Sequence, residues 1–304
     1  MTKELKSDIY NNTYSRHANN DIDEYLANII GKKYSEYRIK WKEVHELKSQ
    51  SDFPLYIAIE TQRSCNLKCS FCSFRDGAKN TLGYYSEVLS EQLFDKILTE
   101  VKENYCPSMG FNVLNEPLLD KRIYKFIKKA HYAGIIDSRI NTNGTALNDE
   151  NINKILDSGL VKINISIDAF KKDTYEANRI GSNYIKLMKN IENFLNIREK
   201  RNYKLPILIV SFIKMKANID ELDDFFNFWR DRADLINFQN FHSPFIFKPE
   251  DKKAYRVNNS ESFSCPQPNE RFVIMGNGDV APCCSQSNSY LIMGNLKEKS
   301  IKDI

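Results

Sequence analysis

Cys65-Asn66-Leu67-Lys68-Cys69-Ser70-Phe71-Cys72 is the stretch on which the reading of this 304-residue chain turns. Three thiols fall within eight residues at the spacing C-x3-C-x2-C, near enough on a short loop to meet at one point. A structural zinc site is normally closed by a fourth Cys or His from a second paired element. None follows in this loop, and the nearest later candidates, Cys106 and His131, stand alone. Three soft ligands with an open position describe a reactive centre instead. A [4Fe-4S] cluster normally takes four thiolates, so three leave one iron free to bind something else.

Working outward, apolar and β-branched runs at residues 55–60, 109–114, 138–142, 161–167, 207–213 and 235–241 read as strands. Between them, 90–104, 121–133, 149–158, 183–200 and 218–230 carry helical spacing; in the first, Leu93, Ile97 and Val101 recur every four residues. Six strands alternating with helices predict an α/β fold with a parallel sheet and right-handed crossovers, open or partly closed as a barrel. Ligand sites in such folds lie at the C-terminal strand ends, and the cysteine loop directly follows the first strand.

Composition excludes other classes. Hydrophobic residues are 41% of the chain, ordinary for a globular protein. A net charge of +4, from 44 basic and 40 acidic residues, is too slight to predict a nucleic-acid or anionic-membrane partner. The apolar runs, such as that from Ile207 to Val210, fall far short of the roughly 18 residues that span a bilayer. The polar, charged start has no signal-peptide core, so a cytoplasmic location is expected, where structural disulfides are rare and seven cysteines need another purpose.

The loop resembles that of the radical S-adenosylmethionine (radical SAM) superfamily, which has this spacing and an aromatic residue before the last Cys, here Phe71. The resemblance implies a partial (β/α)6 barrel whose Cys65, Cys69 and Cys72 hold a [4Fe-4S] cluster. It extends along the strand ends. Asn115-Glu116-Pro117 is similar to the family's G-G-E-P element, whose Glu and backbone hold the amino group of the cofactor's methionine part; Asn115 stands where the family has Gly. Thr142-Asn143-Gly144 looks like the T-N-G turn near the ribose, although Asn-Gly is also a common turn pair. Ser166-Ile167-Asp168 with Arg179 resembles the S-I-D segment and the downstream Arg that, with the Ser, binds the cofactor carboxylate, a task suited to a planar guanidinium. Gln239, near the end of the sixth strand, is a further candidate facing cofactor or substrate.

A second cysteine group begins at Cys265. Twelve residues separate it from Gly278 and four more separate Gly278 from Cys283, followed by Cys284. This is similar to the opening of the SPASM or twitch extension, which implies Cys265 and Cys283 as ligands of an auxiliary iron–sulfur cluster. Asn277-Gly278 is itself a hairpin signal. Further cysteines expected of the extension do not follow before Ile304, so three readings stand: a chain that continues beyond this sequence, a non-Cys ligand, or a hairpin without metal. Cys284 is a third ligand or a hydrogen-atom donor to a substrate radical. Cys106 reads as a small buried hydrophobe. The expected division is a helical or partly ordered lead-in over 1–52, the barrel over 53–243 and the extension over 244–304, with the shift marked by the Pro-containing polar run at 243–261.

The resemblance implies an enzyme of oxidoreductase or isomerase type. Its cluster, fed by a flavodoxin or ferredoxin-type donor, reductively cleaves S-adenosylmethionine, and the 5′-deoxyadenosyl radical takes hydrogen from a substrate. A small molecule of sugar, aminocyclitol or nucleoside type is expected, with dehydrogenation or epimerisation as the outcome. The alternative is modification of a peptide or protein side chain, and a third reading is a non-catalytic, zinc-stabilised binding protein.

Overall fold

The computed structural model describes residues 13–17, 21–72, 74, 87–241, 264–284 and 291–304. The chain opens with strand β1 (Thr13–Ser15) and helices α1 (Ile22–Ile30) and α2 (Lys32–His45). The alternating body follows: β2 (Tyr56–Ile59), α3 (Glu91–Asn104), β3 (Ser108–Gly110), α4 (Ile123–Tyr132), β4 (Asp137–Thr142), α5 (Asp149–Leu156), β5 (Lys162–Ser166), α6 (Lys172–Asn178), α7 (Tyr184–Lys200), β6 (Ile207–Lys214), α8 (Leu222–Trp229) and β7 (Leu235–Asn240). Beyond it come α9 (Gln267–Glu270), β8 (Arg271–Ile274), β9 (Asp279–Ala281) and β10 (Gly294–Asn295).

The six strands β2 to β7 pair in chain order and all parallel. The sheet does not close: β1 adds antiparallel to β7 at one edge, and β8 adds parallel to β2 at the other, followed by β9 and β10. This is the predicted partial (β/α)6 barrel. The predicted hairpin is present as β8 and β9, with Gly278 at φ 92° in the turn, a conformation that favours glycine.

Local signals start the helices where the periodicity does. Ser90, Asn148 and Asn183 each accept a hydrogen bond from the backbone N–H three residues on, the capping geometry that stabilises a helix start by about 1 kcal/mol. The strand read at 109–114 is shorter, because the chain leaves the sheet after Gly110. Val113 and Leu114 donate their N–H groups to Asn115 Oδ1 and Glu60 Oε2, and the segment becomes the loop that carries Glu116.

β6 shows how the layers divide. Leu208, Val210 and Phe212 face the outer helices and pack with Phe225, Phe226 and Trp229, whereas Ile207 and Ile209 face inward and pack with Leu26, Tyr34 and Tyr37. The lead-in therefore contributes an ordered helix pair over the inner face of the sheet. The Asp234 carboxylate anchors it, accepting from Arg16 Nη2 at 2.7 Å, Arg198 Nη1 at 2.6 Å and Leu208 N at 2.8 Å, which joins β1, α7 and β6. The expected polar shift at 243–261 lies outside the described residues. Among the described residues no helix is long and apolar enough to cross a membrane.

Two outcomes follow from this packing. Leu26→Ala empties a fully buried site and should lower unfolding stability by about 2–5 kcal/mol in urea melts. Burial alone would raise the Asp234 carboxyl, but Arg198, the Leu208 N–H and Arg16 outweigh it and hold the group below its ordinary range. A depressed folded-state pKa gives stability that is complete above about pH 3.9 and is lost as pH falls through the folded value. Asp234→Asn should therefore be strongly destabilised at neutral pH, and its deficit against wild type should narrow in acid.

Candidate active site

The cysteine loop leaves β2 at its C-terminal end and is tied down at its far side by α6. Lys68 N donates to Ile180 O at 2.9 Å and Ser70 N to Asn178 O at 2.8 Å, while a tight turn links Cys72 N to Cys69 O at 3.1 Å. Cys69 is buried, Cys65 half-buried and Cys72 exposed, and none of the seven cysteines is in a disulfide. Burial pushes the Cys69 thiol up to about 11 against the pull of Arg179, and neighbouring Cys72 and Cys65 push it the same way. Burial also raises Cys65. Thiols that raise one another are close in space, and metal binding must displace their protons. Among the described residues no group of three His, Cys, Asp or Glu side chains is already disposed to hold a metal ion.

Glu116 stands at the next strand end, buried, with its backbone N–H on Ser64 O at 2.8 Å. Its carboxylate accepts from Thr142 Oγ1 at 2.6 Å, Asn143 N at 2.7 Å and Leu118 N at 3.1 Å. Burial nevertheless keeps the carboxyl above its ordinary range. Asn143 Nδ2 reaches back to Asn66 Oδ1 at 2.9 Å and lies 4.0 Å from Cys65 Sγ, so the loops after β2, β3 and β4 form one hydrogen-bonded unit. Gly144 closes that turn at φ 71°, where a Cβ would also lie 2.5 Å from Leu187 Cδ1. Asn115 spends its Oδ1 on Val113 N, and its buried Nδ2 has no hydrogen-bond partner.

After β5, Asp168 sits buried at φ 62°, a strained conformation for a non-glycine residue. Four bonds hold it there: its N–H donates to Ser211 O at 3.2 Å, Oδ1 accepts from Ile213 N at 2.8 Å, its carbonyl accepts from Asn218 Nδ2 at 2.7 Å, and Oδ2 pairs with Arg179 Nη2. Arg179, at the end of α6, turns its other face to the cysteine loop. Nη1 lies 3.8 Å from Cys69 Sγ, the guanidinium stands 5.4 Å from the Phe71 ring centre, and buried Nε has no partner. Ser166 ends β5 half-buried, opposite Ser211 of β6.

The structure thus brings together Cys65, Cys69, Phe71, Glu116, Thr142, Asn143, Asp168 and Arg179 at the C-terminal strand ends. Gln239 stands apart, exposed on β7 and lining a cavity on the inner face of the sheet. Cys283 and Cys284 follow β9, half-buried and exposed, and exposed Cys265 precedes α9; the hairpin is formed, but its thiols do not make a ready ligand set. Cys106 is fully enclosed, its thiol pushed up to about 12 by burial, as a buried hydrophobe should be. Sequence reasoning missed Asn66, whose side chain also accepts nothing from its own loop but bonds to Asn143 and Thr145. A polar residue between two ligands carried no signal of its own.

Comparison with known proteins agrees with this geometry. The profile of the radical SAM superfamily matches residues 59–216, and that of an iron–sulfur cluster-binding domain, SPASM, matches residues 265–304. A GTP 3′,8-cyclase of Clostridium botulinum (strain Hall) is 28% identical over 176 residues, 57% of this chain and 51% of that protein. The chain thus spans about half the length of the curated relatives it matches. Among solved structures, SuiB of Streptococcus suis bound to S-adenosylmethionine superposes with a TM-score of 0.64 at 15% identity, covering 89% of this chain and 69% of that one. BtrN in complex with AdoMet and 2-DOIA gives 0.56 at 16%, covering 83% and 82%.

The Asp168–Arg179 pair yields a quantitative expectation. Arg179→Gln strands a buried carboxylate and should cost about 3 kcal/mol of stability. Adding Asp168→Asn to it should recover part of the loss, giving a coupling above about 1 kcal/mol in a double-mutant cycle followed by urea melts. Simple additivity of the two single losses would mean that the pair does not act as a unit.

Proposed function

The chain belongs to the radical SAM superfamily, and from that premise we propose that it cleaves S-adenosylmethionine reductively at the strand-end site and acts on a small-molecule substrate. The observation that supports this most is the meeting of the three-thiol loop with a buried guanidinium whose Nε has no partner. When bound, a [4Fe-4S] cluster on Cys65, Cys69 and Cys72 supplies the electron that splits the sulfonium, and so the 5′-deoxyadenosyl radical that takes hydrogen from the substrate.

The remaining work belongs to the chain. Arg179, held by Asp168, offers its unpartnered Nε to a carboxylate; Ser166, at the end of β5, is assigned as the second donor. Glu116 uses three of its roughly four acceptor positions internally, which leaves one for an amino group. Thr142 and Asn143, fixed by that carboxylate, hold the turn against the ribose, and Asn115 contributes its free Nδ2 at the same edge. Phe71 shields the guanidinium and the cluster position from water. Gln239, apart from these groups on the inner face of the sheet, is assigned to the substrate rather than to the cofactor.

Residues 53–243 form the catalytic barrel, 1–52 its covering lead-in and 244–304 the extension. Cys265 and Cys283 are assigned to an auxiliary iron–sulfur cluster, with Cys284 either a third ligand or a hydrogen donor. A flavodoxin or ferredoxin-type protein delivers the electron. The small-molecule reading rests on α1 and α2, which cover the inner face of the sheet from below. The names of the curated relatives point the same way, since GTP is a small molecule. SuiB has also been seen bound to the precursor peptide SuiA, but its likeness to this chain is one of fold.

Anaerobic purification and reconstitution test the assignment. Wild type should be brown, carry stoichiometric iron and sulfide, and release 5′-deoxyadenosine from S-adenosylmethionine under reductant. Replacing Cys65, Cys69 and Cys72 by Ala should abolish that release and remove at least one cluster's worth of iron. A colourless wild type loaded with zinc would overturn the proposal.

A further inference from the structure

A cavity of about 470 Å³ lies against the inner face of the sheet, between the strands and the α1–α2 pair, below the strand-end site. Strand alternation puts every second side chain on this face. β4 contributes Arg139 and Asn141, β5 contributes Lys162 and Asn164, and β7 contributes Asn237 and Gln239. The amides are arranged in a ladder: Asn164 Nδ2 donates to Asn141 Oδ1 at 3.1 Å, and Ser211 Oγ donates to Asn164 Oδ1 at 2.7 Å. A wall this polar is built to meet a polar guest.

Its charge is unbalanced. Arg38, Arg139, Lys162 and Arg271 line the cavity against two acids, Asp23 and Asp137. Three of the four cations have a carboxylate of their own. Arg38 Nε donates to Asp23 Oδ2 at 2.8 Å, Lys162 Nζ lies 2.8 Å from Asp137 Oδ1, and Arg271 Nε donates to Glu270 Oε1 at 3.0 Å. Arg139 has none. Its Nε donates to Tyr56 Oη at 3.1 Å and its guanidinium packs 4.4 Å from the centre of that ring, while its terminal nitrogens have no hydrogen-bond partner among the described residues. The seat is specific: a Cβ at Gly110 would lie 2.1 Å from Tyr56 Oη, so only glycine there lets the phenol reach Arg139. Asp137 is the acid whose charge reaches Arg139, but its carboxylate pairs with Lys162 and makes no hydrogen bond to the guanidinium. Terminal guanidinium nitrogens left unbonded in a partly enclosed site are completed best by an anion.

We propose that Arg139 is the seat for an anionic group, a carboxylate or phosphate, of the substrate. This rests on the small-molecule reading given above. Arg139 precedes Thr142 by three residues on β4, roughly 10 Å along a strand. The substrate class is accordingly an elongated small molecule whose oxyanion end lies on the order of 10 Å from the level of the strand ends, where hydrogen is taken.

Trp41 provides the reporter. It lines the cavity beneath Arg38 and Arg271, and the chain's one other tryptophan, Trp229, is buried in the outer core. In a Trp229→Phe background of the full-length, iron-free chain, Trp41 emission is followed during titration with inorganic phosphate, pyrophosphate and glutarate at constant ionic strength. At least one probe should bind with a millimolar constant. Arg139→Met and Arg139→Gln should each weaken it by at least about tenfold, the worth of a charge-assisted bond. The tighter of the phosphate and carboxylate probes identifies the group. No response to any probe up to about 20 mM, weaker than useful recognition, would overturn the proposal. So would unchanged binding in both Arg139 variants whose melts match the parent. Release of 5′-deoxyadenosine by wild type is scored separately: Arg139-dependent binding without that release leaves the anion seat and removes the radical reading, and the converse removes the seat alone.

Discussion

One buried ion pair, Asp168 with Arg179, is the constraint on which the strand-end site depends. A carboxylate and a guanidinium taken out of water are stable only when their remaining valences are filled. Asp168 fills its own with the Ile213 N–H, which forces its backbone to φ 62° and fastens the end of β5 to β6. Arg179 is then pinned at the close of α6 with one face to Asp168 and the other to Cys69 and Phe71. The cysteine loop has little secondary structure of its own, so its position is set from outside, by this guanidinium and by the two backbone bonds from Lys68 to Ile180, just beyond α6, and from Ser70 to Asn178 at its end.

Glu116 plays the matching part on the other side of the site. Its carboxylate gathers donors from the loops after β3 and β4, and Asn143 carries the connection on to Asn66 within the cysteine loop. The loop is thus clamped from two directions by groups that are themselves held at successive ends of a parallel sheet. A parallel sheet aligns those ends, which is why residues from 26 to 110 positions apart in the chain share one site. The same logic explains the extension: β8 joins β2 in parallel, so the second cysteine group begins at the sheet edge nearest the first.

Much of this was legible in the sequence because it rests on local chemistry. Thiol spacing, β-branched runs and the Asn-Gly hairpin are short-range signals, and the six strands lie where those runs predict, apart from β3, whose apolar continuation serves the Glu116 loop. What escaped was decided at long range. Helix α6 is a polar seven-residue stretch with one buried side chain, Tyr175, and gives no periodic stripe to find. The lead-in looked patternless, yet Leu26, Tyr34 and Tyr37 are buried because Ile207 and Ile209 need a cover on the inner face. Asn66 and Asn115 have roles set by partners in other loops.

The inner face was the least legible part, for a physical reason. In β4 and β5 the alternation of Arg139, Asn141, Lys162 and Asn164 with apolar neighbours is what a sheet with one solvated face would show. Only the curvature of the sheet and the covering helices turn that face into a lumen. There, polar side chains hydrogen-bond across strands, and the environment strengthens every charge left over. A chain whose overall net charge is only +4 can therefore present a local excess of positive charge where it matters for a guest. Whole-chain electrostatics averages over surfaces that water screens, whereas a lumen lined by four cations and two acids is read by the molecule inside it.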